Sequence, residues 1–216
     1  MIYNLLPDVP DPPSNVHLTS PCHTRITELH WHSISDNHPP VSHFIIQYNT
    51  SFNPEVWSTA KKLSTGDRHY DRISLSPWGN YSFRVIARNS VGDSLPSEPS
   101  AQPCSTPPDV PHHNPSGICT KNAKPHQLVI TWKAMPPEQQ NAPGFYYLVK
   151  WRRHDTVVAP SFEERILDAD QDELIISEQP IYKPYEIYVL AVNEVGEAVA
   201  PPKMTIGYSG EDGEFL

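Results

Sequence analysis

Pro7-Asp8-Val9-Pro10 returns, one domain length later, as Pro108-Asp109-Val110-Pro111. Each copy leads into the same kind of segment at the same distance: Trp31 follows Pro7 by 24 residues, and Trp132 follows Pro108 by 24. Tyr81, Asn89 and Gly92 recur as Tyr185, Asn193 and Gly196. A period of about 100 residues is the size of a domain, too long for a solenoid repeat. The 216 residues therefore divide into two copies of one module. The reading places module one at residues 7–106, a proline-rich hinge at 107–111, module two at 112–209, and a tail or next linker at 210–216.

Working outward, apolar residues alternate with period two, the mark of half-buried strands. Leu29-x-Trp31 and Leu128-x-Ile130-x-Trp132 each put apolar side chains on one face. Phe44-x-Ile46-x-Tyr48 and Tyr147-x-Val149-x-Trp151 repeat the pattern one strand later. Tyr81-x-Phe83-x-Val85-x-Ala87-x-Asn89 and Tyr185-x-Ile187-x-Val189-x-Ala191-x-Asn193 are the clearest runs. Short strands with frequent turn signals predict an all-β chain of two tandem immunoglobulin-like β-sandwiches. Asn89 to Gly92 and Asn193 to Gly196 read as hairpin turns, with glycine supplying positive φ and a final strand following each. A module of this size buries a core without metals or dense disulfides.

The 25 prolines cluster at junctions and turns, so the chain is not a disordered proline-rich segment. Residues 1–106 hold 7 basic and 9 acidic side chains; residues 107–216 hold 9 and 16. The overall net charge of −9 makes a poor partner for nucleic acid or an anionic membrane. No positive region leads into an apolar stretch at the start, and no apolar run is long enough to span a bilayer. The sequence reads as a piece that opens inside one linker and ends in the polar tail Ser209-Gly210-Glu211-Asp212-Gly213.

The early tryptophan, Leu75-x-Pro77-x-x-x-Tyr81 and the Asn-x-x-Gly turn resemble the fibronectin type III module. In that resemblance Tyr81 and Tyr185 are tyrosine corners, their hydroxyls bonding back to nearby backbone. In the second copy Pro180 stands five residues before the tyrosine instead of four. Gln47-Tyr48-Asn49-Thr50-Ser51-Phe52, Ser76-Pro77-Trp78-x-Asn80-Tyr81, Pro108-Asp109-Val110-Pro111 and Gly207-Tyr208-Ser209-Gly210-Glu211-Asp212 resemble the neural adhesion receptors typified by neuroglian and neurofascin. The first two type III modules of that series are the matching ones. The resemblance implies an ectodomain segment of a single-span plasma-membrane protein, whose membrane span is absent from this piece. It implies a rigid spacer and protein-binding surface in cell–cell adhesion and axon guidance, with homophilic or heterophilic contacts to cell-surface proteins. A ligand-binding ectodomain of a receptor phosphatase or cytokine-type receptor is the alternative, as is an intracellular tandem of type III modules. The resemblance also suggests a Cys22–Cys104 bridge; two free buried thiols in a reduced compartment are the other possibility. Cys119, beside Ile118, is expected as a small buried apolar residue, with an exposed chain-linking thiol as the alternative.

Two N-x-[ST] sequons, at Asn49 and Asn80, mark candidate glycan sites at strand ends. Asn80 precedes the buried Tyr81, so alternation turns it outward. The hinge Pro107-Pro108-Asp109-Val110-Pro111 is short and stiff, since each proline fixes its φ, and Val110 is expected to pack into the junction. Asn141-Ala142-Pro143-Gly144-Phe145 reads as a loop of module two near that joint.

Asp168-x-Asp170-x-Asp172 lacks the glycine and terminal glutamate of a calcium loop and reads as a solvated acidic loop. His30 and His32 flank Trp31 near His17, yet no Cys or carboxylate completes a zinc set at recognisable spacing; a surface histidine cluster is expected. No nucleophile elbow, phosphate-cradling glycine loop or His-Glu-x-x-His motif is present. Thr65-Gly66-Asp67-Arg68 only shuffles the letters of an integrin-binding tripeptide. No enzyme, no cofactor, no metal and no small-molecule substrate are expected.

Overall fold

The structure is a computed structural model that describes residues 6–19, 22, 26–64, 69–121, 123–156 and 158–211. Thr65-Gly66-Asp67-Arg68 and the tail beyond Glu211 lie outside the described residues. The chain divides into two compact units, Met1–Pro107 and Pro108–Leu216. No helix among the described residues is long and apolar enough to cross a membrane.

In the first unit, β1 (Ser14–Leu18), β2 (Ile26–His32) and β5 (His69–Ser74) form a three-stranded sheet in the order β1-β2-β5. β3 (His43–Thr50), β4 (Asn53–Ser64), β6 (Asn80–Arg88) and β7 (Cys104–Ser105) form a four-stranded sheet ordered β4-β3-β6-β7. The strand pairs are antiparallel. Alternation delivers Leu29, Trp31, Phe44, Ile46, Phe83, Val85 and Ala87 into one buried cluster. The Trp31 ring meets Phe44 edge-on, centroids 5.3 Å apart, a favourable aromatic geometry.

The second unit repeats the plan. β8 (Ser116–Thr120), β9 (Leu128–Lys133) and β12 (Glu173–Ile176) make the three-stranded sheet, and β10 (Tyr146–Arg153), β11 (Ser161–Ile166), β13 (Pro184–Val192) and β14 (Thr205–Tyr208) the four-stranded one. A single helical turn, α1 (Pro137–Gln140), lies between β9 and β10. Leu128, Ile130, Trp132, Tyr147, Val149, Trp151, Ile187 and Val189 fill its core. Both units carry a register shift in the first hairpin, between Ser14 and His17 and between Ser116 and Cys119. Asn15 and Gly117 sit there at φ 50° and 69°, as a left-handed bulge residue requires.

One expectation about the last strand and one about the turn before it are corrected. The first unit has no regular strand after the Asn89 turn until the two-residue β7. Ser94-Leu95-Pro96-Ser97-Glu98-Pro99-Ser100 takes its place, with a serine every third residue. Each serine N–H donates to a carbonyl of β6: Ser94 to Ala87, Ser97 to Val85, Ser100 to Phe83. Each serine Oγ accepts the N–H of that same β6 residue at 3.0–3.2 Å. Prolines forbid a continuous ladder, so the period is three, that of an extended polyproline turn, and the hydroxyls supply the missing acceptors. In the second unit Asn114 does part of this work: its Oδ1 accepts the Ala191 N–H and its Nδ2 donates to the Ala200 carbonyl.

The turn glycine of the first unit is the second correction. Gly92 does not adopt positive φ, whereas Gly196 does, at 156°. What the position requires is space, because a Cβ on Gly92 or Gly196 would lie 3.2 Å from Cγ1 of Val9 or Val110.

Ser97→Ala leaves the buried Val85 N–H without its side-chain acceptor. It is expected to cost about 1–3 kcal/mol, read as a lowered urea midpoint with an unchanged slope.

Candidate functional site

The repeated Pro-Asp-Val-Pro phrase is a latch in each unit. Asp8 Oδ1 accepts the Val9 N–H at 2.7 Å, and Asp109 Oδ1 accepts the Val110 N–H at 2.8 Å. The buried Asn89 donates from Nδ2 to the carbonyls of Asp8, Asp36 and Pro39, while its Oδ1 accepts the N–H groups of Val91 and Gly92. Asn193 repeats this with the carbonyls of Asp109 and Gln140 and the N–H groups of Val195 and Gly196. Asn37 and Asn141 close each latch by donating to the carbonyls of Val9 and Val110. Asn141 caps α1 at φ 64°.

The predicted hinge residues are thus already assigned on either side of the boundary. The Pro107 carbonyl accepts the Trp78 N–H inside the first unit. The Asp109 N–H donates to Asn141, and Pro111 accepts from the Val199 N–H, inside the second. Val110 packs on Gly196 of its own unit.

Cys22 and Cys104 form a disulfide, Cα atoms 5.5 Å apart and 82 residues apart in sequence. Both are buried in the first core. Cys119 is a correction: its side chain is exposed, because Ile118 takes the core-facing slot of β8 and alternation turns Cys119 outward. Its Sγ lies 3.1 Å from Thr131 Oγ1.

Tyr81 accepts the Ser76 N–H at 3.0 Å and donates to the Ser76 carbonyl at 3.2 Å. Tyr185 differs. Its hydroxyl donates to the Gln179 side chain at 2.9 Å, the extra residue after Pro180 having changed the turn. The backbone-bonded tyrosine hydroxyl of the second unit belongs instead to Tyr147, where the first unit has Phe44. It accepts the Met135 N–H at 2.7 Å and donates to the Ala169 carbonyl at 2.9 Å. Burial pushes the Tyr147 phenol above the usual tyrosine range, and the Met135 N–H pulls the other way. The Tyr147 role has no local signal beyond a Phe-to-Tyr difference between copies.

Asn49 is half-buried, and its Nδ2 donates to the Pro54 carbonyl at 2.8 Å. Asn80 is exposed, and its Oδ1 accepts from Ser105 Oγ at 2.6 Å. His17 and His30 are cross-strand partners with rings 5.8 Å apart. A carboxylate unnoticed in the spacing, Glu28, lies 2.8 Å from His30. Among the described residues no group of three or more His, Cys, Asp or Glu is placed to hold a metal. Asp168 instead accepts the Asp170 N–H within its own turn.

The most developed surface is the outer face of β11-β10-β13-β14. The core takes alternate residues, which leaves Tyr146, Leu148, Lys150 and Arg152 on this face beside Glu186, Tyr188, Leu190 and Val192. Leu148, Leu190 and Val192 cluster with Tyr146 and Tyr188 packed against them. The Arg165 guanidinium lies 5.3 Å over the Tyr146 ring, a cation–π distance. Ile206 is exposed on β14, and Tyr208 stacks on Tyr182 at 5.2 Å. Glu186 is nearly buried between Arg152 and His154, bonded to both. The Arg152 hydrogen bond, then that of His154, holds its carboxyl below the usual glutamate range.

A fibronectin type III domain family model matches residues 11–102. Neuroglian of Drosophila melanogaster is 40% identical over 209 residues, 96% of this chain and 16% of that protein. The neuronal cell adhesion molecule of Gallus gallus is 38% identical over 204 residues, covering 94% of this chain and 15% of that protein. Gallus gallus neurofascin is 37% identical over 204 residues, 94% of this chain and 14% of its own. The chain is a tandem of fibronectin type III β-sandwiches, similar over 94–96% of its length to neuroglian and the neuronal cell adhesion molecules. It spans only about a sixth of the length of these relatives. The crystal structure of chicken CNTN1 FN1-FN3 domains superposes with a TM-score of 0.69 at 26% identity, covering 94% of this chain and 67% of that one.

Removing the bridge with Cys22→Ala and Cys104→Ala is expected to destabilise the first module by roughly 2–4 kcal/mol, since the closed loop is long; urea melts check this. Glu186 gives a pH prediction. A carboxyl depressed in the folded state contributes stability that is full above its unfolded pKa and lost as pH falls through the folded one. Glu186→Gln is therefore expected to flatten the loss of stability of the second module below the ordinary glutamate range, read by thermal melting from neutral to acid pH.

Proposed function

We propose that this chain is a non-catalytic ectodomain segment of a neuronal cell adhesion receptor. It acts as a spacer and as a protein-binding surface in cell–cell adhesion and axon guidance. The observation that carries this is the alignment with neuroglian and the neuronal cell adhesion molecules over 94–96% of the chain. The disulfide supports an oxidising, extracellular location at the cell surface. Residues 7–106 and 112–209 are the modules of this proposal, and residues 210–216 are a tail or the next linker. The joint at 107–111 reduces to the Pro107–Pro108 step, since each neighbouring residue is bonded to its own unit. Two prolines there restrict the backbone, which suits a stiff spacer.

The partner is another cell-surface protein, a second copy included. The outer face of the second module supplies the contact: exposed Ile206 pairs with Glu186 of the Arg152–Glu186 pair, exposed Tyr208 stacks on Tyr182, and Arg165 lies on the opposite edge strand of the same sheet. Aromatic and arginine side chains are the residue types that dominate protein interfaces. Beads coated with the chain are expected to bind neuronal cell surfaces, and Ile206→Lys is expected to weaken that binding about tenfold. Undiminished binding by the variant moves the contact off this face. No binding by either leaves the spacer role alone.

A further inference from the structure

Two aromatic rings of the first sandwich meet on the segments that border an exposed asparagine, Asn80. Trp78 occupies the turn before β6 at φ 55° and is 37% exposed. Positive φ is costly for a bulky side chain, so the surroundings must hold it. Its N–H donates to the Pro107 carbonyl at 3.1 Å, and its ring lies 6.0 Å from Phe52. Phe52 follows Ser51, whose N–H donates to the Asn80 carbonyl at 2.9 Å. Phe52 and Trp78 thus belong to the two segments that meet at Asn80, the residue that opens the sequon Asn80-Tyr81-Ser82. Asn80 Oδ1 is fixed by Ser105, which leaves the Nδ2 amide directed away from β7.

The other sequon lies on the same face. Asn49 is paired with Ser82 across β3 and β6, so Asn49 and Asn80 are diagonal neighbours, about 7–8 Å apart. Asn49 spends its Nδ2 on Pro54 inside the β3–β4 turn. Two branched oligosaccharides rooted that close together compete for one volume, and the half-buried root has a hydrogen bond to lose.

We infer that the folded first module carries one N-linked glycan, at Asn80, whose first sugar packs on the Trp78 ring, and that Asn49 stays bare. This rests on the extracellular reading above. The donor is a lipid diphosphate-linked oligosaccharide. Asn80 Nδ2 bonds to the anomeric carbon of its first N-acetylglucosamine, the carbon–oxygen bond to phosphate breaks, the lipid diphosphate leaves with the electron pair, and the amide gives up one proton to base. The C–H face of the sugar then covers the open indole, an apolar contact with a polar rim of the kind tryptophan favours. It offsets the strained backbone at Trp78.

The test is secretion of the 216-residue chain from cultured animal cells, with glycopeptide mapping and thermal melting. Ser82→Ala removes the sequon and leaves Asn80 in place; Asn80→Gln is the second route should that variant misfold. Expected are an occupied Asn80, a bare Asn49 and an intact Cys22–Cys104 peptide. Loss of the glycan through Ser82→Ala is expected to lower Tm by roughly 4 °C. The same change in a Trp78→Ala background is expected to lower it far less, the signature of coupling between ring and sugar. A glycan on Asn49, glycans on both sites of one molecule, or a bare Asn80 in secreted, disulfide-bonded chain overturns the assignment. An equal drop in both backgrounds overturns the stacking. A chain retained with reduced Cys22 and Cys104 overturns the extracellular reading, and the glycan with it.

Discussion

One asparagine side chain in each sandwich joins segments that are far apart in sequence. Asn89 shares two amide protons among carbonyls at positions 8, 36 and 39 and collects two backbone N–H groups on its oxygen. Asn193 does the same for its own unit. Loop backbone at the end of a sandwich has no ladder to satisfy it, and a buried unpaired carbonyl costs free energy comparable to a lost hydrogen bond. No aliphatic side chain of that size offers both donors and acceptors. The glycine three residues later and the valine of the leading phrase follow from this: once the chain is drawn in, the valine needs a neighbour without a Cβ.

The same accounting governs the sheet edge. A sandwich must either pair its last strand or blunt it. The first module satisfies β6 with three buried serines spaced by prolines. Those prolines remove donors that a neighbouring chain would otherwise have found. The second module uses the Asn114 amide and then a regular strand, Thr205–Tyr208. Two sequences that look unrelated along this stretch meet one demand.

How much of this was legible depended on whether the physics was local. Period-two alternation in Tyr81–Asn89 and Tyr185–Asn193 marks strands because side-chain direction is set residue by residue. The repeated phrase counted the modules for the same reason. The Asn-x-x-Gly turns were visible, and Gly196 takes the positive φ read for it, but the reason for Gly92 is a valine 83 residues earlier. Cys119 was misplaced because composition argues for burial while its neighbour Ile118 claims the inward slot. A final strand was expected where Ser94, Ser97 and Ser100 stand; only their distance to the N–H groups of Phe83, Val85 and Ala87 shows how they replace it. Of the surface residues, Asn80 was readable by alternation. The joining of Phe52, Trp78 and Asn80 was not, because it depends on how Ser51 crosses to the start of β6.

The disulfide of the first module has a mechanical meaning for a chain placed under tension. A pull along the chain enters near Pro7 and leaves near Pro107. The bridge from Cys22 to Cys104 short-circuits 82 residues of that path. At about 3.4 Å of contour per residue, on the order of 280 Å of slack is locked away even if the sandwich opens. The second module has no such bridge among its described residues. Under load the two halves of this tandem are a short tether in series with a long one, and the second is the one that yields length.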